Sequence, residues 1–383
     1  MRRKRLIAVL FIFVIAILSV PVIAAKDKDI ESEKELGKKT AADTDKVLKF
    51  VKDEKYNKRV EPILQKISSV AKTTKVKATY GSDRLADFDY TFKIVDDASV
   101  NAASLPAGYI YINKGLMDKV ASDDELAGVI AHEVAHAAHH HVVQLLKKQG
   151  QFTPYLYALL AAALLSHSDD LENVYMGVSM LGTSQMSEYS QVAEEDADKT
   201  AIEYMIKANY NPIGMLTFIE KLAREDAYNP VDYGVYMNHP YSKARADYLI
   251  AELKKRNIPI NRRAVTNTMI AAAKETSIGE KKVFQVVVDG RVIFDAADTP
   301  NATSANRAKS IADKLNQMFD TNPEIRDVKL GSADTSVYIK DQLIVDIQQD
   351  DADLKSTSRE ALAAAVKDAI QAVLLSEDLN LMY

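Results

Sequence analysis

His132, Glu133 and His136 stand in the order HExxH, on a stretch whose apolar spacing predicts a helix. Two histidines four residues apart project from one helix face, one turn apart. That spacing lets two neutral imidazole nitrogens bind one Zn2+ at about 2.0–2.1 Å. Glu133, one residue on, reaches a water beside the metal rather than the metal itself, where it can act as general base. The pattern alone also fits two solvated histidines flanking an acid, so a third ligand decides. The continuation HExxHxxGxxH is excluded, because position 139 is His and position 142 is Val. Residues 190–198, SQVAEEDAD, supply the other option, with Glu194 and Asp198 on one helix face. Glu194 completes a His2Glu set with His132 and His136 and leaves a fourth position open. Asp198 can accept a hydrogen bond from the far nitrogen of a ligand histidine and fix its tautomer. Glu195 and Asp196 read as a solvated acidic face. Of the three histidines that follow the motif, His141 is expected beside the site as a structural partner, with His139 and His140 in solvent.

Several elements must position these groups. Ser122 and Glu125 have capping-box spacing, so a metal helix should begin near Asp123 and run over 123–148. Residues 30–75 read as helices with a lysine-rich outer face, and 76–113 as loop and strand. Within the latter, Tyr109, Ile110, Tyr111 and Ile112 read as an edge strand beside the metal helix, open to a substrate backbone by strand addition. Residues 154–165 form an apolar run of 12, too short to span a bilayer. They read as a buried helix or a cover over the cleft, and 174–186 as core helix, with a lid or membrane-surface contact as the other reading. Helices follow at 191–208, 212–225 and 241–256. Pro259 and Arg262–Arg263 mark a linker. From Lys281 a hairpin turning at Asp289-Gly290 precedes a helix at 304–319. Residues 286–295 align without a gap with 337–346, 51 positions on, and a helix follows again at 357–375. The tail therefore reads as a duplicated ββα domain with one continuous sheet.

Four stretches, in this order, resemble the HtpX-like and CAAX-prenyl-protease-like family of gluzincin zinc metallopeptidases, in its soluble periplasmic BepA-like branch. They are NAASLPAG at 101–108 with Gly115-Leu116, the HExxH motif with His141 nine residues after His132, Glu194 to Asp198 as ExxxD, and HPYSKAR at 239–245. His140 and Gln191 depart from the arginines common there, at positions that bind no metal in the family. The resemblance implies one Zn2+ per chain and peptide-bond hydrolysis. It also implies His239 and Arg245 as groups facing the oxyanion, with a surface ion pair as the other reading of Arg245. His239 could instead ligate the metal directly and hold the enzyme silent.

The chain opens Met-Arg-Arg-Lys-Arg and runs apolar from Leu6 to Ala25, which reads as a signal peptide cleaved after Ala24 or Ala25, or else as a membrane anchor. There is no Cys, which excludes disulfides and a lipoprotein anchor, and the net charge of −5 gives no footprint for nucleic acid or anionic lipid. The expected fold class is α+β: a mostly helical gluzincin domain with a small edge-strand sheet, then a smaller α/β domain with the duplicated ββα unit. The expected domains are 1–25 signal or anchor, 26–258 zinc metallopeptidase, 259–280 linker and 281–383 accessory domain. The expected function is an exported zinc endopeptidase acting on protein or peptide substrates, such as misfolded envelope proteins. The tail would bind a protein partner, and any membrane contact would run through the N-terminal segment alone. The competing class is a latent metal-binding chaperone or partner-binding protein, against which Glu133 argues.

Overall fold

The computed structural model describes residues 22–149, 183–228, 242–266 and 268–382. The expectations placed on residues 1–21, 154–165, 174–182 and on His239 lie outside them. The chain divides into two compact units, Met1–Tyr210 with Tyr233–Tyr241, and Asn211–Asp232 with Ser242–Tyr383. The architecture is α+β, mostly helical with small sheets.

In the first unit, α1 (Val22–Thr44) and α2 (Glu54–Thr73) precede three strands, β1 (Thr91–Val95), β2 (Ala102–Leu105) and β3 (Tyr109–Asn113). A short helix α3 (Lys114–Lys119) leads to α4 (Asp123–Ala138), which carries the HExxH motif, then α5 (His141–Gln149) and the long α6 (Thr183–Lys207). Ser122 starts α4 as expected, its hydroxyl accepting from the Glu125 N–H at 3.2 Å. The Glu125 carboxylate in turn accepts from the Ala121 N–H at 2.7 Å, so the orphan donors of the first turn are satisfied from both sides. Leu126, Ala127, Ile130, Ala131, Val134 and Ala135 are all buried, so α4 is apolar nearly all round and forms the centre of its unit. Alanines spaced by four on α4 (127, 131, 135) and on α6 (193, 197, 201) are buried where the two helices pack. Small side chains let the axes approach closely.

The sheet order is β1-β3-β2, with β1 parallel and β2 antiparallel to β3. This corrects the edge-strand reading of Tyr109, Ile110, Tyr111 and Ile112: β3 is the central strand, and both its sides are hydrogen-bonded. Its near-continuous burial is the signature of a strand covered on both faces. The strand packed against α4 is β2. Among the described residues, no strand pairs with its outer side. Beyond β2, Ala107 at φ +63 and Gly108 turn the chain, and α1 passes over that turn at Gly37, where a Cβ would meet the Pro106 carbonyl oxygen at 2.2 Å.

The expected continuous helix over 123–148 is broken. α4 ends at Ala138, His139 is its C-cap, and His140 takes the left-handed conformation at φ +57 before α5 begins. The sequence carries no Gly or Pro at the break, so nothing local announced it.

The second unit contains α7 (Ile213–Tyr228), α8 (Ser242–Lys255), α9 (Arg263–Thr266) and two meanders. The first is β4 (Ala271–Ile278), β5 (Lys281–Val288) and β6 (Arg291–Ala296), followed by α10 (Ser304–Phe319). The second is β7 (Val328–Leu330), β8 (Ser336–Ile339) and β9 (Gln342–Asp346), followed by α11 (Gln349–Leu354) and α12 (Arg359–Met382). The tail thus holds two separate three-stranded sheets rather than one continuous sheet. Each hairpin pairs with its own preceding strand, β4 or β7, and β4 falls within the stretch read as linker. What the repeats share is a core, with residues of both sheets, α10 and α12 in one buried cluster. The repeat is visible in detail: the β-bulge at Val286/Val287 recurs at Val337/Tyr338, 51 positions on. Asp289 and Gly290 turn the first hairpin with positive φ at both, as a type I′ turn requires.

Candidate metal centre

α4 and α6 bring five sequence-predicted residues together. His132 Nε2 and His136 Nε2 lie 3.0 Å apart, and each is 3.2 Å from a carboxylate oxygen of Glu194. A tetrahedral metal with ligand bonds of about 2.0–2.2 Å has ligand-to-ligand edges of about 3.3–3.6 Å. The three separations fall a few tenths of an ångström inside such edges. On the far side of His132, Asp198 places Oδ1 2.9 Å from Nδ1. A carboxylate at Nδ1 demands the N–H there, which leaves Nε2 as a bare lone pair facing the Glu194 carboxylate. Two acceptors directed at one another in a buried site need a cation between them. The residues therefore fit a zinc ion. Burial pushes the conjugate acid of His136 down to about 4, with His132 and His141 acting the same way and Glu194 opposing. The imidazole is thus kept neutral, as a ligand must be. Glu133, next to His132 in the sequence of the same helix, is buried.

His141 lies beside His136, Nδ1 to Nδ1 at 2.9 Å. Contrary to the solvated reading of its neighbours, His139 and His140 are both buried. His140 Nδ1 is 2.6 Å from Glu33 on α1, and its Nε2 is 3.2 Å from the Arg84 carbonyl oxygen. His139 Nδ1 is paired with Asp196, and Asp196 is buried too, not solvated. Two residues along a helix is a rotation of about 200°, so Asp196 leaves α6 on the side away from Glu194. That side is covered by the 139–141 corner and by the loop at 79–82. The loop is held by Thr79 N–H on Asp196 Oδ1 at 2.5 Å and Ser82 N–H on the His139 carbonyl at 2.9 Å. Sequence reasoning missed His139 and Asp196. The one available signal was a pair of further acids, Glu195 and Asp196, between Glu194 and Asp198, answering three further histidines after the motif.

Arg245 is a buried residue of α8, in the second unit, rather than a surface residue. Tyr109, Ile110, Tyr111 and Ile112 occupy the central strand, with Tyr111 directing its hydroxyl to Asp45 at 3.0 Å.

A largely buried His2Glu centre backed by a carboxylate on one histidine, with a glutamate next to the first ligand, is the arrangement of a gluzincin metallopeptidase. The profile of Peptidase family M48 matches residues 58–255, just over half of the sequence, and the chain belongs to that family. A family of metalloproteases implies zinc as the metal. The chain is 24% identical over 159 residues to the beta-barrel assembly-enhancing protease of Escherichia coli strain K12, covering 41% of this chain and 33% of that protein. It is 30% identical over 174 residues to the mitochondrial metalloendopeptidase OMA1 of Arabidopsis thaliana, covering 45% of this chain and 33% of that one. To the metalloprotease LoiP of Escherichia coli strain K12 it is 26% identical over 159 residues, 41% of this chain and 60% of that protein. The chain thus spans about a third of the length of the first two relatives. A second profile, a domain of unknown function (DUF8459), matches residues 285–377, which hold most of the duplicated meanders.

Proposed function

We propose that this chain is a zinc-dependent endopeptidase of the cell envelope, with His132, His136 and Glu194 holding one zinc and Glu133 as general base. The observation that carries the reading is the convergence of three donors at 3.0–3.2 Å, two buried and His136 half-buried, with the Asp198 carboxylate 2.9 Å from His132 Nδ1. When bound there, zinc supplies a Lewis acid that polarises a scissile carbonyl and brings a water's pKa towards about 7. Glu133 takes the proton from the attacking water and passes it to the leaving amine. Asp198 holds His132 in position. His239 and Arg245 are proposed to stabilise the oxyanion, on their places in the HPYSKAR stretch. The substrate backbone would add as a strand to β2, whose outer side has no strand partner among the described residues. The N-terminal segment supports export, cleaved or anchored. Among the described residues, no helix is long and apolar enough to cross a membrane. Relatives named as beta-barrel assembly-enhancing proteases support envelope proteins as the substrates. The C-terminal meanders carry no catalytic constellation among their described residues and are assigned to docking a protein partner.

The test is zinc content and cleavage of an unfolded protein such as casein by the full chain, beside Glu133→Gln and His239→Ala. One zinc in all three forms, with cleavage lost in the glutamine variant, is the expected result. A rise in activity in His239→Ala would identify His239 as a self-inhibitory ligand. One zinc with no cleavage in any form would favour the latent, partner-binding class. No zinc would overturn the proposal.

A further inference from the structure

Resting on the zinc reading above, we propose that Asp196 is a positioning residue for the metal ligand His136, acting through His141. The two ligand histidines would then be held in different ways, His132 by Asp198 directly and His136 by a two-step relay. The geometry follows from where the protons can sit. His136 binds through Nε2, so as a neutral imidazole it carries its proton on Nδ1. That N–H points at His141 Nδ1, 2.9 Å away, which must therefore be an acceptor. A neutral His141 accepting at Nδ1 carries its own proton on Nε2, and Nε2 lies 3.2 Å from Asp196 Oδ2. Every atom in the line has one role: His136 Nδ1–H donates to His141 Nδ1, and His141 Nε2–H donates to Asp196. Asp196 is further fixed by His139 on the same oxygen and by the Thr79 N–H on the other. His139, His141 and Asp196 are buried and His136 is half-buried, so water competes little for the inner partners.

His139, His141 and Asp196 also come close enough to be considered as a second metal site. Proton placement argues against it. A metal on His141 Nε2 would move that ring's proton to Nδ1, directly opposite the Nδ1–H of a zinc-bound His136. Two donors would then face each other at 2.9 Å in a buried site.

The test uses the full chain as wild type, Asp196→Asn, His141→Phe and the double variant, titrated with zinc against a competing chelator. Losing an outer hydrogen-bond partner of a metal ligand typically weakens binding about 10–100-fold. Each single variant should show that loss at an unchanged stoichiometry of one, and the double variant should lose no more than either single, because the two residues act in series. Nitrogen NMR of the imidazoles in wild type should show His141 protonated at Nε2 alone, with that preference lost in Asp196→Asn. A merely structural role would leave the tautomer unmoved. Unchanged zinc affinity in both single variants, or losses that add in the double, would overturn the relay while leaving the peptidase reading intact. Two zinc ions in wild type and one in Asp196→Asn would replace it with a second metal site. Failure of wild type to bind zinc would bring down the underlying reading instead. Should Asp196→Asn not fold, His141→Phe carries the test, since it leaves His139 and Thr79 on the carboxylate.

Discussion

Asp198→Asn isolates how much of the metal affinity comes from outside the ligand set. Asp198 is fully buried and its Oδ1 lies 2.9 Å from His132 Nδ1. Asparagine has the same shape, so the packing between α4 and α6 is preserved. It can still offer an amide oxygen to the N–H, but it carries no negative charge to raise the basicity of the ring. It can also turn its NH2 group towards Nδ1, which would favour the tautomer with the proton on Nε2, where the metal belongs. The expected cost is about 10–100-fold in zinc dissociation constant, or about 1.4–2.7 kcal/mol. It should be read by competition with a chromophoric chelator at fixed pH and salt. Zinc stoichiometry should stay at one, and the thermal midpoint of the metal-free protein should move little, because no cavity is made. A dissociation constant within twofold of wild type would refute the claim that this carboxylate orients His132. A large fall in metal-free stability with unchanged affinity would show that Asp198 serves the fold and not the metal.

Two other consequences are open to direct measurement. Gly81 sits at φ +81 with its Cβ position 2.0 Å from the His139 carbonyl oxygen, so Gly81→Ala should both strain the backbone and push the 79–82 loop off the histidine corner. A loss of at least about 1–2 kcal/mol in denaturant unfolding is expected from the conformation alone, and a neutral result would contradict the close packing. His140 has the opposite pH logic to a buried acid. Burial lowers its pKa, but the hydrogen bond and charge of Glu33 outweigh this and raise it above the ordinary 6.5. The pair's contribution is therefore fully present below about pH 6.5 and fades as pH rises through the folded-state value. Comparing unfolding of wild type and Glu33→Gln across that range should show a difference that shrinks with rising pH. A difference that does not vary with pH would remove His140 as its source.

The convergence of the proposed ligands was legible because i,i+4 spacing turns directly into shared direction on a helix, for His132 and His136 as for Glu194 and its neighbour Asp198, which backs His132. The cap at Ser122 and the Asp289-Gly290 hairpin were legible for a similar reason, since both are local. What failed was non-local. Whether Tyr109–Asn113 is an edge or a central strand depends on Thr91–Val95 pairing beside it, which the segment itself does not encode. The burial of His139, His140 and Asp196 depends on a helix break stabilised by contacts spanning 55–107 residues, Asp196 with His139 and His141, and Glu33 with His140. The internal repeat was visible as aligned hydrophobics. That each copy builds its own meander was not, because β4 and β7 are bound to their partners by backbone and carry little pattern of their own.

The two meanders of the tail share one apolar core without sharing a sheet. Neither copy can therefore be cut free without uncovering the face it lends to the other. The duplication behaves as a tethered pair rather than as two beads on a string. If the connection around residues 320–327 were severed or lengthened, each half would carry a ready-made sticky surface complementary to its sibling's. Exchange of halves between molecules would then compete with folding within one.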